Sequence, residues 1–382
     1  MKKLFGKTVN ITEPVLGQVK RKGKIFDIWS NNIIATSSPP KYLINAKLVI
    51  TDSDDPETIS KIKYPLIYGV ENIGLLNDGD ILLVERSGLI NVLYNNKVND
   101  NCLLITNKCN CDCIMCPQAK SDYENTGLNI KIIKMMSKDT KYLGLTGGEP
   151  TLLKDDLLKI IAECKKQLPA TSIALLTNGI LLEDFSYVKE IMAINHPNII
   201  FQIPIYSDIP NIHNIIIARD GFYKTIKGIY NLALFNQKIE IRNVIQRINH
   251  RRLAEYANYI YRNFPFVINI ALMAIELEGK ANINIDDLWV DPADYMEGLE
   301  KAVIFLHRAS LNVSIYNHQL CLLPRKLWPF AHKSISSWKN IYLDTCKDCG
   351  FMDECGGFFQ SVDIKQSKCI KPLLKDHVDT CK

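Results

Sequence analysis

Residues 102–118, Cys-Leu-Leu-Ile-Thr-Asn-Lys-Cys-Asn-Cys-Asp-Cys-Ile-Met-Cys-Pro-Gln, constrain this chain more than any other stretch. The aliphatic and β-branched run from Leu103 to Thr106 has the composition of a buried strand. It empties into a loop that carries Cys109, Cys111, Cys113 and Cys116. Cys109, Cys113 and Cys116 have the spacing C-x3-C-x2-C. Three thiolates on one tight loop can each take a different iron of a cubane cluster and leave the fourth iron open to a small molecule. A ferredoxin-type C-x2-C-x2-C run is excluded because position 110 is Asn. Zinc remains an alternative, with Cys113 and Cys116 as half of a tetrahedral set completed elsewhere. Disulfides are disfavoured, since cysteines at i and i+2 have poor bridging geometry. By the spacing argument Cys111 is surplus.

The wider composition fits that chemistry. The 382 residues are 47% hydrophobic and 23% charged, ordinary values for a globular protein with a full core. Forty-six basic residues against 41 acidic give a formal charge of +5, with no Lys/Arg block interleaved with aromatics, so nucleic acid is not an expected partner. The 12 cysteines are clumped at 102–116 and 321–381, with only Cys164 between. Grouped thiols behind an N-terminus without an apolar signal core are read as metal ligands, and the expected location is the cytoplasm. No membrane span is expected, because no apolar run reaches about 18 residues.

Three regions emerge. Residues 1–98 read as a small β-rich domain, with a strand or strand pair over 42–51 and a hairpin about Ser87-Gly88. Residues 99–285 alternate strands (102–106, 141–146, 172–177, 199–206, 239–245, 267–273) with helical stretches (154–167, 183–193, 221–235, 251–263). That alternation predicts an α/β core with a parallel sheet of six strands, open or closed into a partial barrel. Ligands of such sheets sit at the carboxyl ends of the strands, where the cysteine loop falls. Residues 286–382 begin with a helix over 292–309 and continue into an irregular, cysteine-rich extension whose order depends on a metal.

Further motifs lie at the ends of the later strands. Leu145-Thr-Gly-Gly-Glu-Pro-Thr-Leu152 places two glycines and a carboxylate after the second strand, where backbone can approach a ligand. Thr177-Asn178-Gly179, Tyr206-Ser207-Asp208 and Arg242-Asn243 follow on the third, fourth and fifth strands, and Met273 on the sixth. Cys346-Lys-Asp-Cys349 and Cys355 make C-x2-C-x5-C, with Cys321 upstream and Cys369 and Cys381 downstream. Four thiolates from this set satisfy either an iron–sulfur cluster or zinc. Of the seven histidines only His213 and His318 lie near these motifs, and none pairs at metal spacing.

The cysteine loop followed one unit later by Gly147-Gly148-Glu149-Pro150 resembles the radical S-adenosylmethionine (SAM) superfamily over about residues 100–280. Met115 departs from it, standing where the family usually has an aromatic. The C-terminal cysteines resemble the SPASM or twitch extensions of peptide-modifying members, although Phe359 replaces a further cysteine of the full SPASM pattern. Longer strings, Asn107–Gln118, Tyr316–Pro324, Trp338–Asn340 and Cys355–Phe359, resemble the His-Xaa-Ser system maturases of HxsC type.

The resemblance implies an enzyme with a [4Fe–4S] cluster on Cys109, Cys113 and Cys116. It implies SAM held by Gly147, Gly148, Glu149, Pro150, Asn178, Ser207, Arg242 and Met273, and an auxiliary cluster on Cys321, Cys346, Cys349 and Cys355. Reductive cleavage of SAM to a 5′-deoxyadenosyl radical would start modification of a ribosomally made precursor peptide with His-Xaa-Ser repeats. A flavodoxin- or ferredoxin-type reductant and a second radical SAM maturase are the implied partners. The alternatives are a radical SAM enzyme acting on a small molecule or RNA, and a zinc-stapled binding protein without redox activity.

Overall fold

The computed structural model describes residues 3–21, 32–43, 46–333 and 340–374. Trp338 and Cys381 lie outside the described residues.

The N-terminal region is one mixed sheet of β1 (Lys3–Phe5), β2 (Lys7–Val9), β3 (Val15–Lys20), β4 (Asn32–Ala35), β5 (Leu48–Ile50), β6 (Leu66–Tyr68), β7 (Ile81–Val84) and β8 (Leu89–Tyr94). Its order is β1-β8-β7-β3-β4-β5-β6-β2. The two edges, β1 and β2, are consecutive halves of one extended stretch bent at Gly6, so the sheet curls until its edges meet. Closure removes exposed edges and surrounds a small core of Val19, Ile33, Leu48, Ile50, Ile67, Leu82 and Ile90. The hairpin about Ser87-Gly88 joins β7 and β8 as the sequence predicts. The expected strand over 42–51 shrinks to β5, and residues 44 and 45 lie outside the described set. Ile81 and Tyr94 enter the buried cluster of the second region, and the Tyr94 hydroxyl lies 2.9 Å from that of Thr140. The barrel therefore packs directly on the core.

The second sheet contains β9 (Asp100–Thr106), β10 (Tyr142–Gly147), β11 (Ser172–Leu176), β12 (Ile199–Pro204), β13 (Lys238–Ile245), β14 (Asn269–Ala274), β15 (Val313–Tyr316) and the two-residue β16 (Ala331–His332). All neighbours are parallel, in sequence order. Eight strands replace the expected six, and the sheet runs past residue 285 into the C-terminal third. β15 escapes a sequence reading because its four residues follow a helix inside what looks like an irregular tail.

The crossovers use α2 (Thr126–Met135), α3 (Asp155–Gln167), α4 (Phe185–Ala193), α5 (Pro210–Ile217), α6 (Phe222–Ala233), α7 (Leu253–Asn263) and α10 (Met296–Arg308). Short turns α1 (Pro56–Ser60), α8 (Lys280–Ile283) and α9 (Ile285–Leu288) complete the helices used here. The expected helix over 292–309 is α10 preceded by a 3-10 turn that starts at Pro292. Among the described residues no helix is long and apolar enough to cross a membrane.

Strand alternation separates two faces. Leu143, Leu145, Ile173, Leu175, Phe201, Ile203, Ile239 and Ile241 pack under the helices in one continuous core. The intervening residues Tyr142, Gln202, Glu240, Arg242 and Tyr316 turn to the concave side, where they form a polar interior.

Candidate functional site

The cysteine loop is held from three sides by backbone hydrogen bonds. Helix α5 ends with carbonyls that have no partner within the helix. Ile217 accepts from the Asp112 N–H at 3.1 Å, and Ile216 from the Ile114 N–H at 3.0 Å. The Cys116 carbonyl accepts from the Lys280 N–H at 2.9 Å, and the Ile114 carbonyl from the Asn284 amide at 2.7 Å. On the third side, the Gly148 N–H donates to Thr106 (2.8 Å) and the Glu149 N–H to Lys108 (2.7 Å). The glycine pair makes that last contact possible. A Cβ on Gly147 would stand 2.0 Å from the Thr106 carbonyl oxygen, and one on Gly148 2.1 Å from that of Lys108. Close approach is thus the role of these glycines, as expected, but the surface approached is the cysteine loop itself.

Cys109, Cys111, Cys113 and Cys116 line one cavity of about 320 Å³ with Gly147, Gly148 and Glu149. Of the other residues assigned from sequence, Asn178, Arg242 and Met273 line it too. Ser207 and Pro150 do not. The Ser207 hydroxyl, in a residue only 2% exposed, accepts from the Ile209 N–H at 3.1 Å just ahead of α5. Its neighbour Tyr206 takes the place on the cavity wall. Pro150 is buried at the first position of a 3-10 turn, which Glu149 caps by accepting from the Thr151 N–H.

Glu149 is 1% exposed, and four donors converge on it. The Thr151 N–H (3.0 Å), Thr151 hydroxyl (2.6 Å) and Thr177 hydroxyl (2.6 Å) reach Oε1, while the Asn178 N–H reaches Oε2 at 2.6 Å. Burial pushes its pKa up and these hydrogen bonds oppose the shift. The carboxylate thus ties the end of β10 to the end of β11 and keeps acceptor capacity on Oε2. Asn178 donates to Asn110 Oδ1 (2.6 Å) and to the Cys111 sulfur (3.4 Å), which joins the third strand to the cysteine loop. Arg242 donates to Gln202 at 3.4 Å and to the Met273 sulfur at 3.3 Å, and its Nε lies 3.5 Å from the Glu240 carboxylate.

The surplus Cys111 is buried beside its neighbours; its backbone N–H donates to the Cys109 sulfur at 3.4 Å, and its single S–H is shared between the Cys109 and Cys113 sulfurs. That donation holds the Cys109 thiol down at about 7 and lowers Cys113, whereas burial raises Cys116. In metal-free protein, alkylation by iodoacetamide should therefore reach half its limiting rate near pH 7 at Cys109. Cys116 should need a more alkaline medium, because the thiolate is the reacting form and its fraction rises with pH. Peptide mapping across a pH series checks this, and one shared profile for the two residues would refute it.

His213 and His318 are structural. Burial pushes both down to about 4, leaving them neutral. His213 Nδ1 accepts from the Tyr206 N–H at 3.2 Å. His318 is held between the Tyr316 carbonyl (2.8 Å) and the Tyr295 hydroxyl (2.9 Å).

A second sulfur group forms in the C-terminal extension. Cys321, Cys346, Cys349 and Cys355 line one small cavity with Tyr342, Phe351 and Phe358. Backbone N–H groups of Leu320 and Gly357 donate to the Cys355 sulfur at 3.5 and 3.4 Å, and that of Leu373 to Cys349 at 3.5 Å. Such donors stabilise thiolates. Cys369 is exposed and lies outside this cavity. Among the described residues no three Cys, His, Asp or Glu side chains are grouped about a single metal-ion position. Thiolates of a cubane cluster bind separate irons, so they need not converge on one point.

Sequence reasoning missed Gln118, Gln202 and Tyr206 on the first cavity. The Gln118 Oε1 atom is buried with no hydrogen-bond partner among the described residues. Gln202 had a readable signal, being the one amide in the apolar strand Ile199-Ile-Phe-Gln-Ile-Pro204. The donor set fits an iron–sulfur cluster with a small ligand beside it.

Comparison with known proteins agrees. Residues 103–260 match the model of the Radical SAM superfamily. A protein of Saccharolobus islandicus named "Probable GTP 3',8-cyclase" is 28% identical over 169 residues, covering 43% of this chain and 53% of that protein. The GTP 3',8-cyclase of Clostridium acetobutylicum is 28% identical over 223 residues, covering 53% of this chain and 67% of that protein. The chain thus spans about half the length of the first of these relatives. Among solved structures, Streptococcus suis SuiB aligns with a TM-score of 0.48 at 17% identity, over 58% of this chain and 50% of that one. The anSMEcpe protein with bound AdoMet aligns at 0.44 and 20%, over 56% and 61%. The match over residues 103–260 is to the Radical SAM superfamily, and a [4Fe–4S] cluster and S-adenosylmethionine are the cofactors that match supports.

Proposed function

We propose that this radical SAM enzyme modifies a ribosomally made peptide of the His-Xaa-Ser repeat type. Cys109, Cys113 and Cys116 are the residues that would hold the cluster, with Gly147, Gly148, Glu149, Asn178 and Arg242 around the SAM ligand. When bound, that pair supplies a carbon-centred radical able to remove a hydrogen atom from the substrate. The chain's part is to position the reactants and keep water out. Cys321, Cys346, Cys349 and Cys355 would hold an auxiliary cluster. A flavodoxin- or ferredoxin-type protein would deliver the electron, and a second maturase of the same class would act beside it.

One observation carries the peptide reading. The cavity continues into a second chamber of about 430 Å³ whose far wall includes Tyr316, Asn317 and, from the cysteine-rich extension, Phe359. Among the described residues Arg242 is its one cationic side chain, and Glu240 stands against that guanidinium while Glu276 adds a carboxylate. A neutral or weakly charged peptide segment suits such walls. The second reading, a nucleoside triphosphate, rests on the names of the curated relatives. A triphosphate calls for several cations, and Lys120 on the adjoining cavity is already paired with Asp112 at 2.9 Å.

The test is direct. Anaerobically reconstituted protein, reductant, SAM and the partner maturase are incubated with a His-Xaa-Ser repeat peptide, and separately with GTP. A mass change in the peptide with 5′-deoxyadenosine formation, and no loss of GTP, is expected. GTP consumption, or an unchanged peptide, would overturn the proposal.

A further inference from the structure

Nine residues line the second chamber and not the first cavity: three aromatic (Tyr142, Tyr316, Phe359), three polar or thiol (Cys102, Glu276, Asn317) and three apolar (Met115, Ala274, Ile275). The three aromatic residues among these nine come from separate parts of the chain. Tyr142 opens β10, Tyr316 closes β15, and Phe359 belongs to the extension. Two of the rings are fixed. Tyr316 stacks on His332 with centroids 5.5 Å apart and planes at 29°. Burial raises the Tyr142 pKa and outweighs the opposing hydrogen bond from Gln202, so its hydroxyl stays protonated as a donor. Phe359 follows Phe358, which faces the C-terminal sulfur cavity. Successive residues of this extended stretch thus serve the two cavities in turn.

We propose that this chamber is a subsite for a flat aromatic or heteroaromatic side chain of the polypeptide target, with Phe359 as a specificity-determining residue. The proposal rests on the peptide reading above. Ring faces held in place favour another ring over an aliphatic chain of equal area, because the electrostatics of the π-system add to the burial. Pre-ordered walls give up little freedom when the guest enters. The amide of Asn317 and the Tyr142 hydroxyl suit a side chain that carries a ring heteroatom or hydroxyl.

The test is binding to reconstituted holoprotein with SAM present, followed by calorimetry or saturation-transfer NMR. The probes are the N-acetyl amides of phenylalanine, tyrosine, tryptophan and histidine, against those of leucine and methionine. The aromatic set should bind roughly tenfold more tightly, the discrimination expected of two ring–ring contacts. Phe359→Leu should reduce this preference to about threefold, and Phe359→Tyr should keep it. Equal affinities across the series, a preference unaffected by Phe359→Leu, or no binding by any of the amides would overturn the subsite. Peptide modification without the aromatic preference would sink this inference alone. GTP turnover with an unmodified peptide would sink the functional reading instead.

Discussion

Replacing Cys109, Cys113 and Cys116 together by alanine should abolish SAM cleavage and remove about four irons per chain. Iron held by Cys321, Cys346, Cys349 and Cys355 should remain. The two sulfur groups line separate cavities, and the loop that carries the first is anchored by its backbone to α5, α8 and the end of β10. Losing the thiols therefore leaves the surrounding fold in place. The fall in rate should be on the order of 10⁶-fold or more, down to background, because cleavage has no other source of the electron. Chromatographic assay of 5′-deoxyadenosine with iron and sulfide analysis reads both effects. Cys111→Ala is the control. Its sulfur sits between Cys109 and Cys113, so a retained cluster supports the C-x3-C-x2-C assignment. Cleavage that survives the triple substitution would refute it. If the triple variant kept zinc and no iron in the extension, the auxiliary cluster would give way to a structural zinc.

Gly148→Ala should be severely damaging. The added Cβ would stand 2.1 Å from the Lys108 carbonyl oxygen and 2.6 Å from its carbon, both backbone atoms with no rotamer to yield. Either β10 or the cysteine loop must move. The Gly148–Thr106 and Glu149–Lys108 hydrogen bonds are lost with it. Overpacking of this kind costs about 3 kcal/mol or more. In a chain this long that lowers the melting temperature by about 4 °C, and iron incorporation should fail. Gly127→Ala, where the nearest atom is 3.8 Å away in α2, should be neutral or slightly stabilising. Calorimetry and iron content of the two variants make the comparison. A Gly148→Ala protein that melts and loads iron normally would show that the loop is free to shift.

The legible part of this protein was written in local pattern. The βα alternation, the boundaries of α3 and α7 and the hairpin at Ser87-Gly88 all follow from periodicity and turn residues. Cysteine spacing alone marked the first sulfur group. Ser207 shows where local reading stops. A hydroxyl after a strand looks the same whether it faces a ligand or closes a local turn, and here it accepts from the Ile209 N–H in the turn ahead of α5. Gly147 and Gly148 stand out in the sequence as a glycine pair, yet their immediate partner, the start of the cysteine loop, lies some forty residues earlier in the chain.

The sequence by itself determined the parallel α/β core, the loop with its three spaced thiols and the separate C-terminal cysteine group. Each depends on residues close together along the chain, where covalent spacing already sets geometry. Only the tertiary structure decided that the first sheet curls until its edges meet and that the second extends to eight strands. It alone put Cys321, rather than Cys369, beside Cys346, Cys349 and Cys355, and Phe359 on the wall of the chamber below the cysteine loop. Those outcomes depend on which distant surfaces pack together, and burial of apolar area in three dimensions leaves no periodic trace in the order of residues.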